Sequence, residues 1–309
     1  MHSLLVTGYS GFVGGLLCKE LKKSYKIKLL GRKESDLGNV HKHNIDANSN
    51  YKEALQGVSC VIHIAARVHI MNDTSADPLT DFRAVNSIGT LNLAKQAVEA
   101  GVKRFVFVSS IKVNGESTTN RSPFCAGDSP APEDPYGISK AEAEQQLLEL
   151  GKQSGMEIVI IRPPLVYGEG VKANFASLMK LVSKGLPLPF RLINNNKRSL
   201  ISVYNLVDLI QVCICHPSAA NQVFLASDDH DLSTAEMVAL MAKVQNKPNL
   251  ALPVPVWCFK LAGKLLGKYA VIDRLTGSLQ LDITHTKNTL GWEPPHSVEH
   301  GFRLAAKRS

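Results

Sequence analysis

The sequence of 309 residues has few of the features that mark membrane, secreted or metal-binding proteins. No apolar run reaches the roughly 18 residues needed to span a bilayer, and the first apolar stretch ends at Gly8. The six cysteines are scattered and form no CxxC pair, which favours reduced, buried thiols over disulfides or a metal site. These absences predict a soluble, cytoplasmic protein with no metal and no membrane insertion.

Extended nucleic-acid binding also lacks its usual signature in this chain. The net charge of +8 favours an anionic partner, which a nucleotide, a nucleic acid or a membrane surface would each satisfy. However, no basic run exceeds three residues, and the aromatic residues do not alternate with the basic ones. We therefore expect no nucleic acid among its partners.

The first half of the chain alternates short apolar runs with longer helical patterns. Runs rich in Val and Ile predict buried strands, and the stretches between them predict helices. The predicted strands cover 2–8, 26–31, 58–66, 104–110 and 157–163, and the predicted helices cover 12–24, 78–100 and 135–154. This order indicates an α/β fold, a Rossmann-type doubly wound parallel sheet with helices on both faces.

The pattern becomes less regular after residue 165, with Pro-containing loops and shorter elements. Helices are predicted at about 174–184, 233–245 and 255–267. We expect residues 1–165, with about 199–229, to form a dinucleotide-binding domain. Residues 166–198 and 230–309 are expected to form a smaller C-terminal substrate lobe over the carboxyl edge of the sheet.

A glycine-rich turn joins the first predicted strand to the first predicted helix. The sequence TGYSGFVG has the spacing at which one glycine permits the turn, a second allows approach to a pyrophosphate, and a third permits close helix–strand packing. Glycines also occur in plain strand-to-helix turns, but the context here favours dinucleotide binding. The residues assigned to the cofactor are Gly8, Ser10, Gly11, Phe12, Val13 and Gly14.

The second predicted strand ends in LLGRK (29–33), where the adenosine ribose lies in such folds. NAD-binding sites usually carry an acidic residue here, whereas Arg32 suits a 2′-phosphate. Alternatively, Arg32 is a solvated loop residue and Glu34 or Asp36 faces the ribose. The basic turn favours NADP(H), with NAD as the alternative. Asp46 is placed either to contact the adenine or in a surface turn.

The segment DPYGISK (134–140) predicts the start of a helix that carries acid–base chemistry. Asp134 suits the N-cap and Pro135 the first helical position. Tyr136 and Lys140 then lie on one helix face, where an ammonium would stabilise a phenolate. Such pairs are common in helices and carry little weight alone.

Five motifs in this order resemble the extended short-chain dehydrogenase/reductase family, and in particular its nucleotide-sugar epimerase and reductase branch. They are TGxxGxxG, HIAAR (63–67), VNSIGT (85–90), VSS (108–110) and YxxxK, and the likeness covers nearly the whole chain. The resemblance implies that Tyr136 is the acid–base, Lys140 binds the nicotinamide ribose, and Ser110 holds the reacting oxygen. Further cofactor contacts implied by the resemblance are Ala65, Ala66, Arg67, Asn86, Ser109 and Pro163.

The second half of the chain resembles the UDP-sugar-binding part of that family. The positions that match its nucleotide contacts are Asn174, Leu188, Pro189, Arg198 and Arg274. Two arginines suit a diphosphate because each can donate two parallel hydrogen bonds to its oxygens. The resemblance also implies a homodimer through helices 78–100 and 135–154.

Two departures from the family pattern bear on activity. Asn114 stands where many relatives have a tyrosine, so substrate contacts are expected to differ there. Ile111 and Lys112 stand where dehydratases carry an Asp–Glu pair, so dehydration is not expected.

Three functions remain open from the sequence. A UDP-4-keto-6-deoxy-N-acetylhexosamine reductase of surface-polysaccharide synthesis, using NADPH, is favoured by the basic turn and by likeness to such enzymes. A UDP-hexose or UDP-N-acetylhexosamine 4-epimerase with retained NAD is the alternative. A non-catalytic dinucleotide-binding protein is the third, although Ser110, Tyr136 and Lys140 argue against it.

Overall fold

A computed structural model describes residues 3–68, 77–171 and 173–307. Within these ranges, residues 173, 174 and 270 are described by their backbone alone. Short strands recur along the whole of this described part. They are β1 (Ser3–Thr7), β2 (Lys26–Gly31), β3 (Asn39–Lys42), β4 (Cys60–His63), β5 (Arg104–Val108), β6 (Glu157–Arg162), β7 (Leu165–Tyr167), β8 (Leu200–Ser202) and β9 (Gln222–Leu225).

Helices connect most of these strands and form most of the C-terminal part. They are α1 (Phe12–Leu21), α2 (Lys52–Leu55), α3 (Pro78–Arg83), α4 (Thr90–Glu99), α5 (Pro135–Ser154), α6 (Ala173–Ser183), α7 (Val203–Cys215), α8 (Thr234–Val244), α9 (Val256–Leu265), α10 (Tyr269–Thr276), α11 (Thr284–Leu290) and α12 (Val298–Ala306). No helix in the described ranges is long and apolar enough to cross a membrane.

The main sheet has the order β3-β2-β1-β4-β5-β6-β9, and every neighbouring pair in it is parallel. Strand order reverses at β1, which pairs with β2 on one side and β4 on the other. Ligands of doubly wound folds bind at the carboxyl ends of the strands beside such a reversal. The predicted Rossmann-type fold is therefore confirmed, and its switch point lies after β1 and β4.

Side chains on both faces of the main sheet are buried, as expected for continuous apolar strands. In β1, Leu4 and Val6 pack into the apolar core that contains residues of α1 and α7. Leu5 points to the opposite face and packs with residues of α4 and α5. This two-sided burial fixes the sheet and the positions of the loops at its carboxyl edge.

A separate apolar core holds the C-terminal helices beside the two-stranded sheet of β7 and β8. Tyr167 at the end of β7 stacks on Phe175 of α6, with ring centroids 5.3 Å apart, and contacts Phe302 of α12 edge-on at 4.8 Å. Met241 of α8 is buried in the same cluster. These contacts join the predicted substrate lobe to the end of the β7 segment.

The predicted helix 78–100 is interrupted, and this expectation was wrong in detail. A π-helix, Ala84–Gly89, separates α3 from α4. A Cβ at Gly89 would lie 2.8 Å from the backbone carbonyl of Ile45, so the helix packs directly on that turn. Short π-helical segments inside α-helices often occur at functional sites, and this one carries the buried Asn86.

Candidate active site

The glycine-rich turn after β1 has no room for side chains at two of its three glycines. Gly8 has φ +74°, and a Cβ there would lie 2.7 Å from the Ala65 nitrogen. A Cβ at Gly14 would lie 2.1 Å from the Gly8 carbonyl oxygen. The Gly11 nitrogen donates to that same oxygen at 2.9 Å. The turn therefore brings the start of α1 directly against the end of β1.

The N-terminus of α1 is open to an anion. Its N-cap is Gly11, no side chain caps the first-turn N–H groups, and no acidic residue lies in that turn. Ser10 and Gly11 are exposed, while Phe12 and Val13 are partly buried. A helix N-terminus of this kind favours a phosphate, so the residues present fit the pyrophosphate of a dinucleotide.

The basic turn after β2 is shaped by Tyr9. A Cβ at Gly31 would lie 2.8 Å from the Tyr9 ring, and the Tyr9 hydroxyl donates to the Lys33 carbonyl. Arg32 is exposed and makes no hydrogen bond or ion pair with the described residues. Glu34, the alternative ribose contact, pairs with Lys42 across the surface.

Asp46 closes its own surface turn. Its Oδ1 accepts from the backbone nitrogens of Asn48 at 2.9 Å and Ser49 at 2.8 Å. Its carbonyl oxygen accepts from Asn92 Nδ2 at 2.8 Å. These contacts match the surface-turn alternative, and the adenine contact stays a prediction.

Asn86 fixes the segment that follows β4. Its Oδ1 accepts from the Arg67 nitrogen at 2.8 Å, and its Nδ2 donates to the Arg67 carbonyl and to Ser139 Oγ, each at 3.0 Å. The Ala65 nitrogen donates to Thr7 Oγ1 at 3.1 Å. Ala66 lies between these two anchored residues. The structure thus places 65–67 beside the glycine-rich turn, at the switch point.

The start of α5 is tied to the loop that follows β5. Asp134 accepts from the Gly137 nitrogen at 2.6 Å and pairs with Lys112. A Cβ at Gly137 would lie 2.9 Å from the Lys112 carbonyl oxygen. Ser110 immediately precedes this packed turn, and its Oγ accepts from the Lys112 nitrogen at 3.3 Å. Lys112 therefore serves a structural role where dehydratases carry a carboxylate.

Lys140 is buried beneath the site. Its Nζ donates to the Val108 carbonyl at 2.9 Å and lies 4.2 Å from the centroid of the Phe107 ring. Burial lowers the pKa of Lys140 to about 7, while the charge of Glu144 acts in the opposite direction. The amino group can therefore change its charge near neutral pH.

Tyr136 is partly buried one helical turn before Lys140. Its ring meets Phe82 edge-on at 6.0 Å, and its hydroxyl makes no hydrogen bond within the described ranges. Burial, and then the charge of Asp134, raise the pKa of Tyr136. The phenol is thus protonated in the protein alone and needs a cationic neighbour to ionise.

A buried polar network that the sequence analysis missed lies behind these residues. Ser109 donates to Glu144, and Arg162 donates to the same carboxylate from Nε at 3.0 Å and from Nη2 at 2.5 Å. Arg162 also donates to Asn114 Oδ1 at 2.9 Å. Asn114 is buried, so its side chain supports the site from within.

Pro163 joins the loops that follow β5 and β6. Its carbonyl oxygen accepts from the Ile111 nitrogen at 3.0 Å. Two residues earlier on each strand, the Ser109 nitrogen donates to the Ile161 carbonyl at 2.8 Å. The predicted cofactor residues Ser109 and Pro163 therefore lie on adjacent strand ends beside Ser110.

The structure brings together the two arginines assigned to a diphosphate. Arg198 Nη1 donates to the Arg274 carbonyl at 3.0 Å, and burial, followed by the charge of Arg274, lowers the pKa of Arg198. Two neighbouring guanidinium groups favour an anion. Leu188, by contrast, is buried in the C-terminal apolar core. Asn174 lies in α6, and its side chain is outside what the structure describes.

The sequence profile of the NAD dependent epimerase/dehydratase family matches residues 4–226, more than half of the chain. The chain belongs to this family. It is an enzyme of the extended short-chain dehydrogenase/reductase type.

Relatives in this family extend the likeness over nearly the whole chain. A Vibrio cholerae protein named UDP-glucose 4-epimerase is 57% identical over 99% of this chain and 94% of its own length. An Escherichia coli O157:H7 protein named N-acetyl-alpha-D-glucosaminyl-diphospho-ditrans,octacis-undecaprenol 4-epimerase is 28% identical over 97% of this chain and 93% of its own.

A solved structure has the same fold. The UDP-glucuronic acid 4-epimerase from Bacillus cereus, in complex with NAD, superposes with a TM-score of 0.79. It is 18% identical, and the match covers 98% of this chain and 97% of the other.

Proposed function

We propose that this protein is a UDP-hexose or UDP-N-acetylhexosamine 4-epimerase that retains NAD through its catalytic cycle. The observation that carries the proposal is the 57% identity, over 99% of the chain, with a protein named UDP-glucose 4-epimerase. The sequence alone favoured a reductase over an epimerase, whereas the relatives favour the epimerase. Bound NAD would supply the hydride acceptor and donor for C4 of the sugar.

Tyr136, Lys140 and Ser110 supply the proton chemistry in this proposal. Ionised to the phenolate, Tyr136 would take the proton from the sugar O4 as C4 is oxidised to a ketone. The resulting phenol would return that proton to O4 when the hydride is delivered to the other face of C4. Lys140, as an ammonium, favours the phenolate that performs the first step. Ser110, which precedes the turn packed on α5, donates to the reacting oxygen and orients it.

The binding residues divide between the two ends of the site. The open N-terminus of α1 holds the dinucleotide pyrophosphate, and 65–67 line its nicotinamide half. Arg198 and Arg274 hold the diphosphate of the sugar nucleotide by forked hydrogen bonds. The substrate is thereby anchored away from the bond that reacts.

One observation favours a second candidate, the NADPH-dependent 4-keto reductase. Arg32 is exposed at the end of β2, and Tyr9 occupies the space that a side chain at position 31 would need. A free guanidinium beside the ribose suits a 2′-phosphate, which an exchangeable reductant carries.

The two candidate functions differ in whether a dinucleotide must be added to the assay. We expect the purified protein to interconvert UDP-glucose and its C4 epimer, or the N-acetylated pair, without added dinucleotide. NAD should be released when the protein is denatured. Product NMR measures the first outcome, and chromatography of the supernatant measures the second.

Tyr136→Phe serves as the control, since it should release the same amount of NAD but form little product. The proposal is wrong if no UDP-sugar is converted without added cofactor and NADPH is consumed in proportion to a supplied UDP-4-keto sugar. That result would establish the reductase.

A further inference from the structure

The helical hairpin of α9 and α10 exposes an unusually large apolar surface. Its outward side chains leave half or more of their area in solvent: Trp257 65%, Leu261 51%, Leu265 76%, Leu266 70%, Tyr269 56% and Val271 50%. A patch of this kind on a folded chain marks an interaction surface. Nothing in the proposed reaction uses these side chains.

The hairpin is a well-formed element. A Cβ at Gly263 would lie 2.6 Å from Ile272, so the two helices pack closely. Gly267, with φ +64°, makes the turn between them. On the inner face, Phe259 stacks on Phe190 at 6.0 Å. The inner face of the hairpin therefore packs against the rest of the protein, and its outer face is left to contact a partner.

The charge of the segment indicates its partner. Residues 256–276, which form the hairpin, contain Lys260, Lys264, Lys268 and Arg274 against one acidic residue, Asp273. In α9, an exposed apolar side chain recurs every four residues, at Trp257, Leu261 and Leu265. A lysine directly precedes the second and the third of these, at Lys260 and Lys264. The lysines therefore flank the apolar stripe, a pattern typical of helices that lie in a membrane interface.

We propose that the α9–α10 hairpin docks the protein on an anionic lipid bilayer, with the apolar side chains at the depth of the headgroups. A second copy of the chain fits less well, because a symmetric contact would bring together two hairpins that each carry three lysines and an arginine against one acidic residue, Asp273. Docking of this kind is adsorption at the surface, and it requires no helix that crosses the bilayer.

The test uses the full-length protein and vesicles of phosphatidylcholine, with or without phosphatidylglycerol. We expect co-flotation with the anionic vesicles, and its loss at about 1 M salt, where the Debye length is roughly 3 Å. Trp257 reports the contact directly by a blue shift in emission. The other tryptophan, Trp292, is buried and donates to Asp208 at 2.7 Å, so it should not respond.

Two variants separate the charged and apolar contributions. Lys260→Gln/Lys264→Gln/Lys268→Gln should lower the partition coefficient about a hundredfold, since each basic residue near an anionic surface contributes roughly fivefold. Leu265→Gln/Leu266→Gln should lower it by about tenfold or more. The matched control removes three exposed lysines of the Rossmann part and should bind normally: Lys19→Gln/Lys26→Gln/Lys52→Gln.

Epimerase activity on a water-soluble UDP-sugar should be unchanged in every variant, which shows that each one is folded. Equal binding of hairpin and control variants, or no preference for anionic vesicles, would overturn the proposal. So would an assembly of the wild type that dissociates in Leu265→Gln/Leu266→Gln while neither protein floats, because the face would then join two copies.

Discussion

Arg162 and Glu144 form a two-point ion pair inside the protein, with Nε to Oε1 at 3.0 Å and Nη2 to Oε2 at 2.5 Å. Both side chains are buried, and the pair connects the end of β6 to the middle of α5. Because Ser109 also donates to Glu144, the pair fixes the strand end that carries Ser110 relative to the helix that carries Tyr136.

Loss of one partner of this pair should be costly. Glu144→Gln leaves a buried guanidinium without its counter-charge, and we expect the free energy of unfolding to fall by about 3–5 kcal/mol. Glu142→Gln is the matched control, because it breaks a partly exposed pair with Arg83 and should cost less than about 1 kcal/mol. Denaturant unfolding measures both, and equal losses would contradict the assigned role of the buried pair.

The lowered pKa of Lys140 predicts a pH dependence of stability in the cofactor-free protein. The folded-state pKa is about 7, and an unfolded lysine titrates near about 10.4. Between these values the unfolded chain binds more protons, so the contribution of Lys140 to stability rises with pH. Between the two pKa values, we expect the free energy of unfolding of the wild type to rise with pH relative to that of Lys140→Met, by on the order of 1 kcal/mol per pH unit.

Thermal unfolding at several pH values measures that difference. Lys152→Met removes an exposed lysine from the last turn of the same helix, and its difference from the wild type should stay flat. A flat difference for Lys140→Met as well would place the titration of Lys140 outside this range.

Much of the fold could be predicted because its signals are local. Helix α5 begins and ends at the predicted residues, since Asp134 and Pro135 mark its start and Gly155, with φ +75°, marks its end. Strands β3 and β9 were missed, because segments as short as 39–42 and 222–225 gain their strand character from pairing with β2 and β6. Edge strands of this kind carry little signal of their own.

In the candidate site, too, local features could be predicted from the sequence and features that depend on distant contacts could not. The glycine-rich turn is one contiguous motif, and its steric requirements can be deduced from spacing. The Glu144–Arg162 pair joins residues from different elements, and no periodicity connects them. The π-helix depends on contacts of Asn86 and Gly89 with other segments, so the pattern of 78–100 predicts a continuous helix instead.

Arg32 provides a test of cofactor preference. If its guanidinium contacts a 2′-phosphate, Arg32→Ala should weaken NADPH binding by about 1.5–3 kcal/mol and leave NADH binding nearly unchanged. Lys19→Ala removes an exposed charge from α1 and should affect neither cofactor. Titration calorimetry measures the affinities of the wild type and both variants for each cofactor. Equal losses for the two cofactors, or none, would identify Arg32 as a solvated loop residue, as expected for an epimerase that retains NAD.

Tyr136 provides the most direct test of the chemistry. Tyr136→Phe keeps the ring and its edge-on contact with Phe82 but removes the hydroxyl, which has no hydrogen-bond partner in the described part of the chain. General acid–base catalysis is worth about 10²–10⁴-fold, so kcat should fall by that factor. Binding of the dinucleotide and of the UDP-sugar should be preserved, because no step of binding needs the proton. Tyr269→Phe alters an exposed tyrosine of the α9–α10 hairpin and should leave kcat unchanged. A Tyr136→Phe enzyme within a few-fold of wild-type kcat would exclude Tyr136 as the acid–base, and the proton would then have to pass through another group near Ser110.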